Sequence, residues 1–505
     1  MTAEARTMQL SQLLEPYAST TLLEALKNVV ITGVAIDSRK VVTGNLFLAL
    51  PGVDADGRHY IDDAISAGAS AVVVEADHGD SSCEIRNGVC VVALPELSNH
   101  VARIIADYYR SPSDKLRIFG VTGTNGKTSC SHYLAQLLDC LGEPCGVMGT
   151  LGSGFVGSME EGLNTTPDLV TTQQFMAELV SVEVKNLAME ASSHGLEQGR
   201  TEGVGFTTAI FTNLTRDHLD YHGDMEQYSE AKARLFAAPT LEYAVINRDD
   251  EYAPLMKSSV NSNVTVIDYS LRSGSGDVYP ERIVYGSRGI QAHIVTPWGD
   301  GDLQCALLGD FNLANVLAVI AALCVQGYEL PAVLSAANTL VAVDGRMQLF
   351  GGEKQPLVVI DYAHTPDALI SLLAAVSHHC HGRIVCVFGC GGDRDVGKRP
   401  LMLQAALAGA EMVMVTSDNP RCEDPDAIIS DVMRGINVED LPRVQVISDR
   451  KKAIRDVVSR ASVNDVVVVA GKGHERYQEV NTVRHPFSDQ EQVELALQHW
   501  QGDAA

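Results

Sequence analysis

Short runs of β-branched and other apolar residues recur along the chain at 71–75, 118–122, 187–190, 209–213, 244–247, 358–361, 384–388, 412–416 and 466–470. Several are apolar at every position rather than at alternate ones, so both faces of the strand must be covered. In a water-soluble chain that pattern belongs to parallel strands between two layers of helices. Each run is followed by a polar or glycine-containing loop and then by a segment with helical spacing, and such alternation predicts α/β layers. Ligands of these sheets sit beyond the carboxyl ends of the strands, where most of the unusual residues of this chain fall.

At roughly 150 residues per domain, 505 residues predict about three domains. A helical stretch over 97–109 and a Ser-Pro-Ser break at 111–113 precede one nucleation point, and Val341-Ala-Val-Asp-Gly-Arg-Met347 precedes another. We therefore expect a small N-terminal α/β domain over 1–97, a central phosphate-loop domain with a mostly parallel sheet over 98–344, and a C-terminal Rossmann-like α/β domain over 345–505. Neither a repeat nor a low-complexity tract is present. With 38 Lys and Arg against 64 Asp and Glu the net charge is −26, which argues against a binder of nucleic-acid backbones. No stretch approaches the roughly 18 apolar residues of a membrane helix, and the opening Met1-Thr-Ala-Glu-Ala-Arg lacks the apolar core of a secretory signal. Eleven cysteines, scattered and without a Cys-x-x-Cys pair, suggest neither a disulfide framework nor a zinc site. The expectation is a reduced cytoplasmic protein, monomeric, with no nucleic-acid or membrane partner.

Gly120-Val-Thr-Gly-Thr-Asn-Gly-Lys-Thr128 carries the clearest chemistry. It follows a strand and opens a helix. Glycines let backbone wrap phosphates, and the helix start adds free N–H groups and a positive end. Lys127 can neutralise β/γ-phosphates and Thr128 can ligate Mg²⁺. The strict phosphate-loop pattern wants glycine where Val121 stands, so these residues alone identify only a nucleotide phosphate binder. Two further strand ends are suggestive: Glu190 in Met189-Glu-Ala-Ser-Ser-His-Gly195, and His218 in Thr212-Asn-Leu-Thr-Arg-Asp-His218. A carboxylate and an imidazole there can complete the shell of Mg²⁺ ions on ATP, whereas His222 is expected to be an ordinary packed histidine. In the C-terminal third, four strands run into Asp361-Tyr-Ala-His-Thr-Pro-Asp367, Gly389-Cys-Gly-Gly-Asp-Arg394, Ser417-Asp-Asn-Pro-Arg421 and Gly471-Lys-Gly-His-Glu475. These put Arg394, Arg421 and Glu475 on one rim, a place for a charged small molecule. Cys390 is not expected to act as a nucleophile.

Gly123-Thr-Asn-Gly-Lys-Thr128 resembles the ATP loop of the Mur ligases, ATP-dependent enzymes that form amide bonds in peptidoglycan precursors, and the likeness extends along nearly the whole chain. The resemblance implies an ATP site of Gly123, Thr124, Asn125, Gly126, Lys127, Thr128 and Ser129, joined by Asn312 and by Arg346 at the junction with the last domain. It implies that Lys232, in Tyr228-Ser-Glu-Ala-Lys232-Ala-Arg-Leu-Phe236, carries a CO₂-derived carbamate, a modification that turns a cation into an anionic oxygen ligand. On pattern alone Lys232 is a solvated helical lysine. Thr128, Glu190, His218 and carbamylated Lys232 are then the Mg²⁺ ligands, and Lys127, Lys232, His218 and Glu190 the catalytic set. The segments Val34-Ala-Ile-Asp-Ser-Arg39, 45–52 and 56–60 look like the family's UDP-binding domain, with Ser38 as the contact, although an Asp-Ser-Arg turn fits the spacing equally well. Asn164, Thr165, Thr166, Ser192, Gln198 and Arg200 match positions that hold a muramoyl dipeptide.

Asp418, Asn419, Pro420 and Arg421 resemble the motif of those Mur ligases that add meso-diaminopimelate, with Arg394, Gly471 and Glu475 completing the amino-acid site. A guanidinium can grip the second carboxylate that lysine lacks. The implied reaction joins meso-diaminopimelate to the D-Glu of UDP-MurNAc-L-Ala-D-Glu with ATP and Mg²⁺. Members that add L-lysine or D-Ala-D-Ala, and folylpolyglutamate synthases, are the near alternatives. A phosphate-loop kinase, a regulatory NTPase or a non-catalytic nucleotide binder is the distant one, and amine-dependent ADP release separates a ligase from a kinase.

Overall fold

The computed structural model describes residues 7–52, 55–76 and 81–502; the chain start at residues 1–6 lies outside them. Three mainly parallel sheets follow one another. The first has the order Gly33–Ala35, Asn45–Ala49, Ala71–Glu75, Val89–Leu94, Ser82–Arg86, parallel except for the last strand. The second holds eight strands in the order Ser158–Glu160, Gly152–Phe155, Cys145–Gly149, Asn186–Glu190, Arg117–Thr122, Phe206–Phe211, Tyr243–Asn247, Thr265–Tyr269. Its last six are parallel, with a hairpin added at one edge. The third runs Gln348–Gly351, Leu357–Asp361, Val466–Ala470, Ile384–Phe388, Met412–Val415, Val444–Val446, antiparallel only at its first strand.

The doubly apolar strands are the reason for this layering. Alternate residues of Arg117–Thr122 and its neighbours, such as Phe119, Val121, Val147 and Ile210, pack under the helix Lys127–Cys140 and the nearly all-buried helix Asp310–Cys324. The other set, including Ile118, Met148, Leu187 and Phe211, packs on the opposite face against Met176 and Leu179. Burial of each such side chain contributes about 1.5–3 kcal/mol. Helix Leu97–Tyr108, which the expected division at 97/98 gives to the central part, lays Leu97, Val101, Ile104 and Ile105 on the first sheet. A three-stranded antiparallel sheet, Tyr279–Gly286, Gly289–Thr296 and Gly299–Cys305, covers part of the central core.

One cysteine pair departs from the expected reduced state. Cys83 and Cys90, on neighbouring antiparallel strands of the first sheet, are joined as a disulfide. They stand seven positions apart in sequence; Cys83 faces Val92 and Cys90 faces Ile85, so the two are diagonal neighbours across the strand pair. Among the described residues no helix is long and apolar enough to cross a membrane.

Candidate active site

The strand Arg117–Thr122 ends beside Asn186–Glu190 and Phe206–Phe211, with Glu190 paired to Val121 and Phe211 to Thr122. The loop after it is forced to turn at once, because Thr212 Oγ1 donates to both the Thr122 and Asn125 carbonyls from directly beneath. Gly123 takes φ +150 there, and a Cβ on it would stand 1.9 Å from Thr212 Oγ1. Gly126 caps the helix Lys127–Cys140 at φ +88. Asn213 fastens the loop by accepting from Thr124 N through its carbonyl and from Asn125 N through its side chain. Thr128 and Ser129 are buried in the first helical turn.

Two lysines enter this loop. Lys127 Nζ donates to the carbonyls of Gly123 (2.8 Å) and Thr124 (3.0 Å), and Lys232 Nζ donates to Gly123 at 2.8 Å. Burial pushes Lys127 below the usual lysine range, opposed by Glu190 and reinforced by Arg346. Burial, then the charge of Lys127, pushes Lys232 well below that range, against a smaller pull from Asp217. Lys232 is therefore not the solvated surface lysine of its local pattern: it is almost fully buried, 4.5 Å from the centre of the Tyr228 ring. Tyr228 in turn shares a 3.2 Å hydrogen bond with Thr124 Oγ1.

Glu190 is fully buried, its two oxygens receiving Thr150 N (2.9 Å) and Thr150 Oγ1 (3.0 Å). His218, at φ +52, caps a short helix, with its ring 3.4 Å from Asp217 and edge-on to His194. Among the described residues no group of three or more His, Cys, Asp and Glu side chains converges to hold a metal. Mg²⁺ that arrives on nucleotide phosphates needs only one or two carboxylates from the protein. The donor set of Thr128, Glu190 and His218 fits that demand. His222 is the packed histidine expected, with Nε2 2.9 Å from Ser193 Oγ and Nδ1 3.2 Å from Glu197.

The remaining central residues form one network. Thr150 Oγ1 and Thr165 Oγ1 lie 3.1 Å apart, Thr166 Oγ1 bonds the Glu190 carbonyl and Ser192 Oγ, and Arg200 reaches the Thr166 carbonyl and Gln198. Asn164 is exposed just before them. The turn holding Ser38 is tied to this segment by Lys40, whose Nζ lies 2.9 Å from Asp168 Oδ2. Asn312 does not open toward the loop. It is buried, and its side chain accepts from Tyr133 OH and donates to the Leu308 carbonyl, joining two helices.

On the C-terminal rim the four strand ends lie side by side. Gly392 sits on the Pro420 carbonyl, where a Cβ would come within 1.9 Å, and its N–H donates to the Asn419 carbonyl. Arg399, buried and paired with Glu423 and Asp431, pins the loop from below. Arg421 Nη1 donates to the Gly392 carbonyl at 2.7 Å, and Arg394 flanks the same glycine-rich turn. Cys390 is buried, and burial pushes its thiol up to about 12. Glu475 Oε2 accepts from Asn419 Nδ2 at 2.8 Å. Gly471, at φ +117, lies against Asp418. Lys472, absent from the residues anticipated, stands at the centre of this group.

Arg346 lies at the junction, over the Tyr362 ring at 4.7 Å with a buried, unpartnered Nε. Asp361 fixes that junction by accepting from Met347 N and Ala363 N at 2.8 Å each, and burial raises its carboxyl, against Arg346.

Known proteins share this arrangement. Residues 30–109, 121–323 and 345–473 match models described as the Mur ligase family catalytic domain, the Mur ligase middle domain and the Mur ligase glutamate ligase domain. A protein of Ectopseudomonas mendocina named UDP-N-acetylmuramoyl-L-alanyl-D-glutamate--2,6-diaminopimelate ligase is 48% identical over 94% of this chain and 97% of its own. A Pseudomonas aeruginosa protein of the same name is 47% identical over 95% and 97%. A solved structure bearing that name superposes with a TM-score of 0.74 at 38% identity, covering 98% of this chain and 99% of the other. Likeness of this extent, over the phosphate loop and the C-terminal rim alike, settles the lineage: the chain belongs to the Mur ligase family.

Proposed function

We propose that the chain is the ATP-dependent ligase that joins meso-2,6-diaminopimelate to the D-Glu of UDP-MurNAc-L-Ala-D-Glu, a step of peptidoglycan precursor synthesis and the reaction for which its relatives are named. One observation carries the reading from the geometry. The chain that folds a lysine-lined phosphate loop also folds a rim with two arginines and two carboxylates, a site matched to an amino acid bearing charges of both signs.

In this reading the γ-carboxylate of D-Glu attacks the γ-phosphorus of ATP and ADP leaves, giving an acyl phosphate. The amine of diaminopimelate then attacks the acyl carbon, the amide forms and phosphate departs. The protein contributes positioning and charge neutralisation. Gly123–Ser129 cradle the phosphates, Lys127 meets their charge, and Arg346 approaches from the junction as the domains close and exclude water. Ser38 contacts the UDP moiety, and Asn164, Thr165, Thr166, Ser192, Gln198 and Arg200 hold the sugar and dipeptide. Arg394, Asp418, Asn419, Pro420, Arg421, Gly471 and Glu475 hold diaminopimelate. Mg²⁺ on the nucleotide, held by Thr128, Glu190, His218 and Lys232 as its carbamate, supplies further neutralisation. Carbamylation has a physical basis in this fold: burial depresses Lys232, and it is the neutral amine that adds CO₂, losing a proton as the N–C bond forms. Three units for three substrates follow the expected division at 1–97, 98–344 and 345–505, save that helix Leu97–Tyr108 goes with the first unit, on which it packs. Because one chain provides every residue assigned, we take it to work as a monomer, in the cytoplasm where its substrates are made.

The test is direct. Purified protein with ATP, Mg²⁺ and UDP-MurNAc-L-Ala-D-Glu is given meso-diaminopimelate or L-lysine, and the products are weighed. A tripeptide product with diaminopimelate alone supports the reading. Product with lysine alone keeps the ligase and removes the specificity, and ATP turnover without any amide removes the function.

A further inference from the structure

Lys472 follows the last strand of the C-terminal sheet, Val466–Ala470, and has no exposed surface. A buried ammonium is costly unless every N–H finds an acceptor. Lys472 Nζ lies 2.9 Å from Asn419 Oδ1, 3.0 Å from Glu475 Oε2 and 3.3 Å from Asp418 Oδ1. Three donors thus meet three acceptors. All three partners belong to the amino-acid site proposed above, on which the following inference rests.

We propose that Lys472 is the positioning residue of that site, and that it fixes both the shape and the charge a ligand meets. The shape follows from the acceptors. Asn419 Oδ1 also receives Glu479 N at 3.0 Å, while Asn419 Nδ2 donates to Glu475 Oε2, so the amide has one orientation only. One oxygen of each carboxylate is engaged by Lys472. Among the described residues neither Asp418 Oδ2 nor Glu475 Oε1 receives a hydrogen bond, so each carboxylate keeps one acceptor oxygen that Lys472 does not use. The charge follows by addition: two carboxylates and one internal ammonium leave a single negative charge. One substrate ammonium balances it, while the carboxylate beside that ammonium faces Arg421. Without Lys472 the two carboxylates would face each other unbalanced, and the Asn419 amide would be held by Glu479 N and Glu475 alone.

The test is steady-state kinetics of Lys472→Met, a neutral side chain of similar length, with Glu475→Gln and the double variant beside it. We expect KM for diaminopimelate to rise about tenfold or more, with kcat within about threefold and KM for ATP within about twofold. In the Glu475→Gln background the same change should raise KM by less than about threefold, because residues acting through one network are not additive. A lysine that only filled space would give additive losses, or equal losses for all substrates, and either result overturns the proposal. Lys472→Gln, which keeps a donor, serves should the methionine variant fail to fold; failure of both assigns Lys472 to the core and also overturns it. Absence of wild-type product with diaminopimelate overturns the function itself, whereas wild-type turnover with an unchanged KM in Lys472→Met overturns this inference alone.

Discussion

Lys127 and Lys232 converge on a single acceptor, the carbonyl oxygen of Gly123, each at 2.8 Å although the second lies 109 residues away in sequence. Two buried amines this close disfavour two charges, and the depressed affinity of both for protons is the consequence. The leading charge on each differs in sign: Glu190 raises Lys127, whereas Lys127 itself pushes Lys232 further down, with Asp217 opposing it.

The first prediction follows from that asymmetry. Lys232→Ala should lower kcat by about a hundredfold or more, and formate or acetate at high concentration should restore part of it by standing in for the carbamate. Lys127→Ala should be equally impaired and gain nothing from either anion. Equal behaviour of the two variants would remove the carbamate from the account.

A second prediction concerns pH. His132, on the phosphate-loop helix, and His474, in the loop after the last strand, are each lowered to about 4 by burial and then by Arg346. Each also has a buried ring nitrogen with no partner. Between about pH 6.5 and 4 the unfolded chain binds protons that the folded one refuses, so stability rises with pH across that window. Nucleotide-free protein should be most stable above about pH 6.5 and lose stability as pH falls toward 4, by about 3 kcal/mol for each histidine. Urea melts across this range should be flatter for His132→Gln and His474→Gln. An unchanged slope in both would place the acid sensitivity elsewhere.

The amino-acid rim rests on a buried ion pair. Arg450 and Asp489 have no exposed side-chain surface and meet through two bonds of 2.7 Å, and Arg450 also donates to the Ala470 carbonyl just before Gly471. Removing one partner strands a charge, so Asp489→Ala should cost about 3–5 kcal/mol in denaturant unfolding. Replacing both with apolar residues should cost less than the single change. A single variant as stable as the parent would show that water reaches the arginine.

Much of this is legible in the sequence alone, for a physical reason. Strands such as Ile384–Phe388 and Val466–Ala470 are apolar on both faces, and glycines 123 and 126 stand where side chains would collide. What escaped depends on distance in sequence. Lys472 and Asn419 are 53 residues apart, and a Gly-Lys-Gly loop does not announce that its lysine points inward. Tyr228 and Asp217 likewise acquire meaning only when the loop folds onto them. The strands of the sheet over residues 279–305 alternate between buried and exposed, a weaker pattern than continuous burial. Asn312 fits a ligand contact by its place in the chain, and only the fold spends its amide between two helices.

Arg421 supports the last prediction. Its backbone is held at φ +50 by the Glu479 carbonyl at 3.0 Å and by Asn481 N at 2.7 Å, so its side chain leaves the turn in a fixed direction. Nη1 is spent on the Gly392 carbonyl, and Nε stands 3.8 Å from Glu479, which leaves the Nη2 edge for a ligand. A hydrogen bond to a charged group contributes about 1.5–3 kcal/mol, so Arg421→Ala should lower kcat/KM for diaminopimelate by roughly ten- to a hundredfold. L-Lysine has no second carboxylate to lose, so any trace product it gives should not fall, and the preference for diaminopimelate collapses. Arg421→Lys keeps the charge without the planar fork and should recover only part of the loss. Competition assays with both amino acids in one vessel read that ratio directly, and an equal fall for both would mean that Arg421 shapes the turn without recognising the carboxylate.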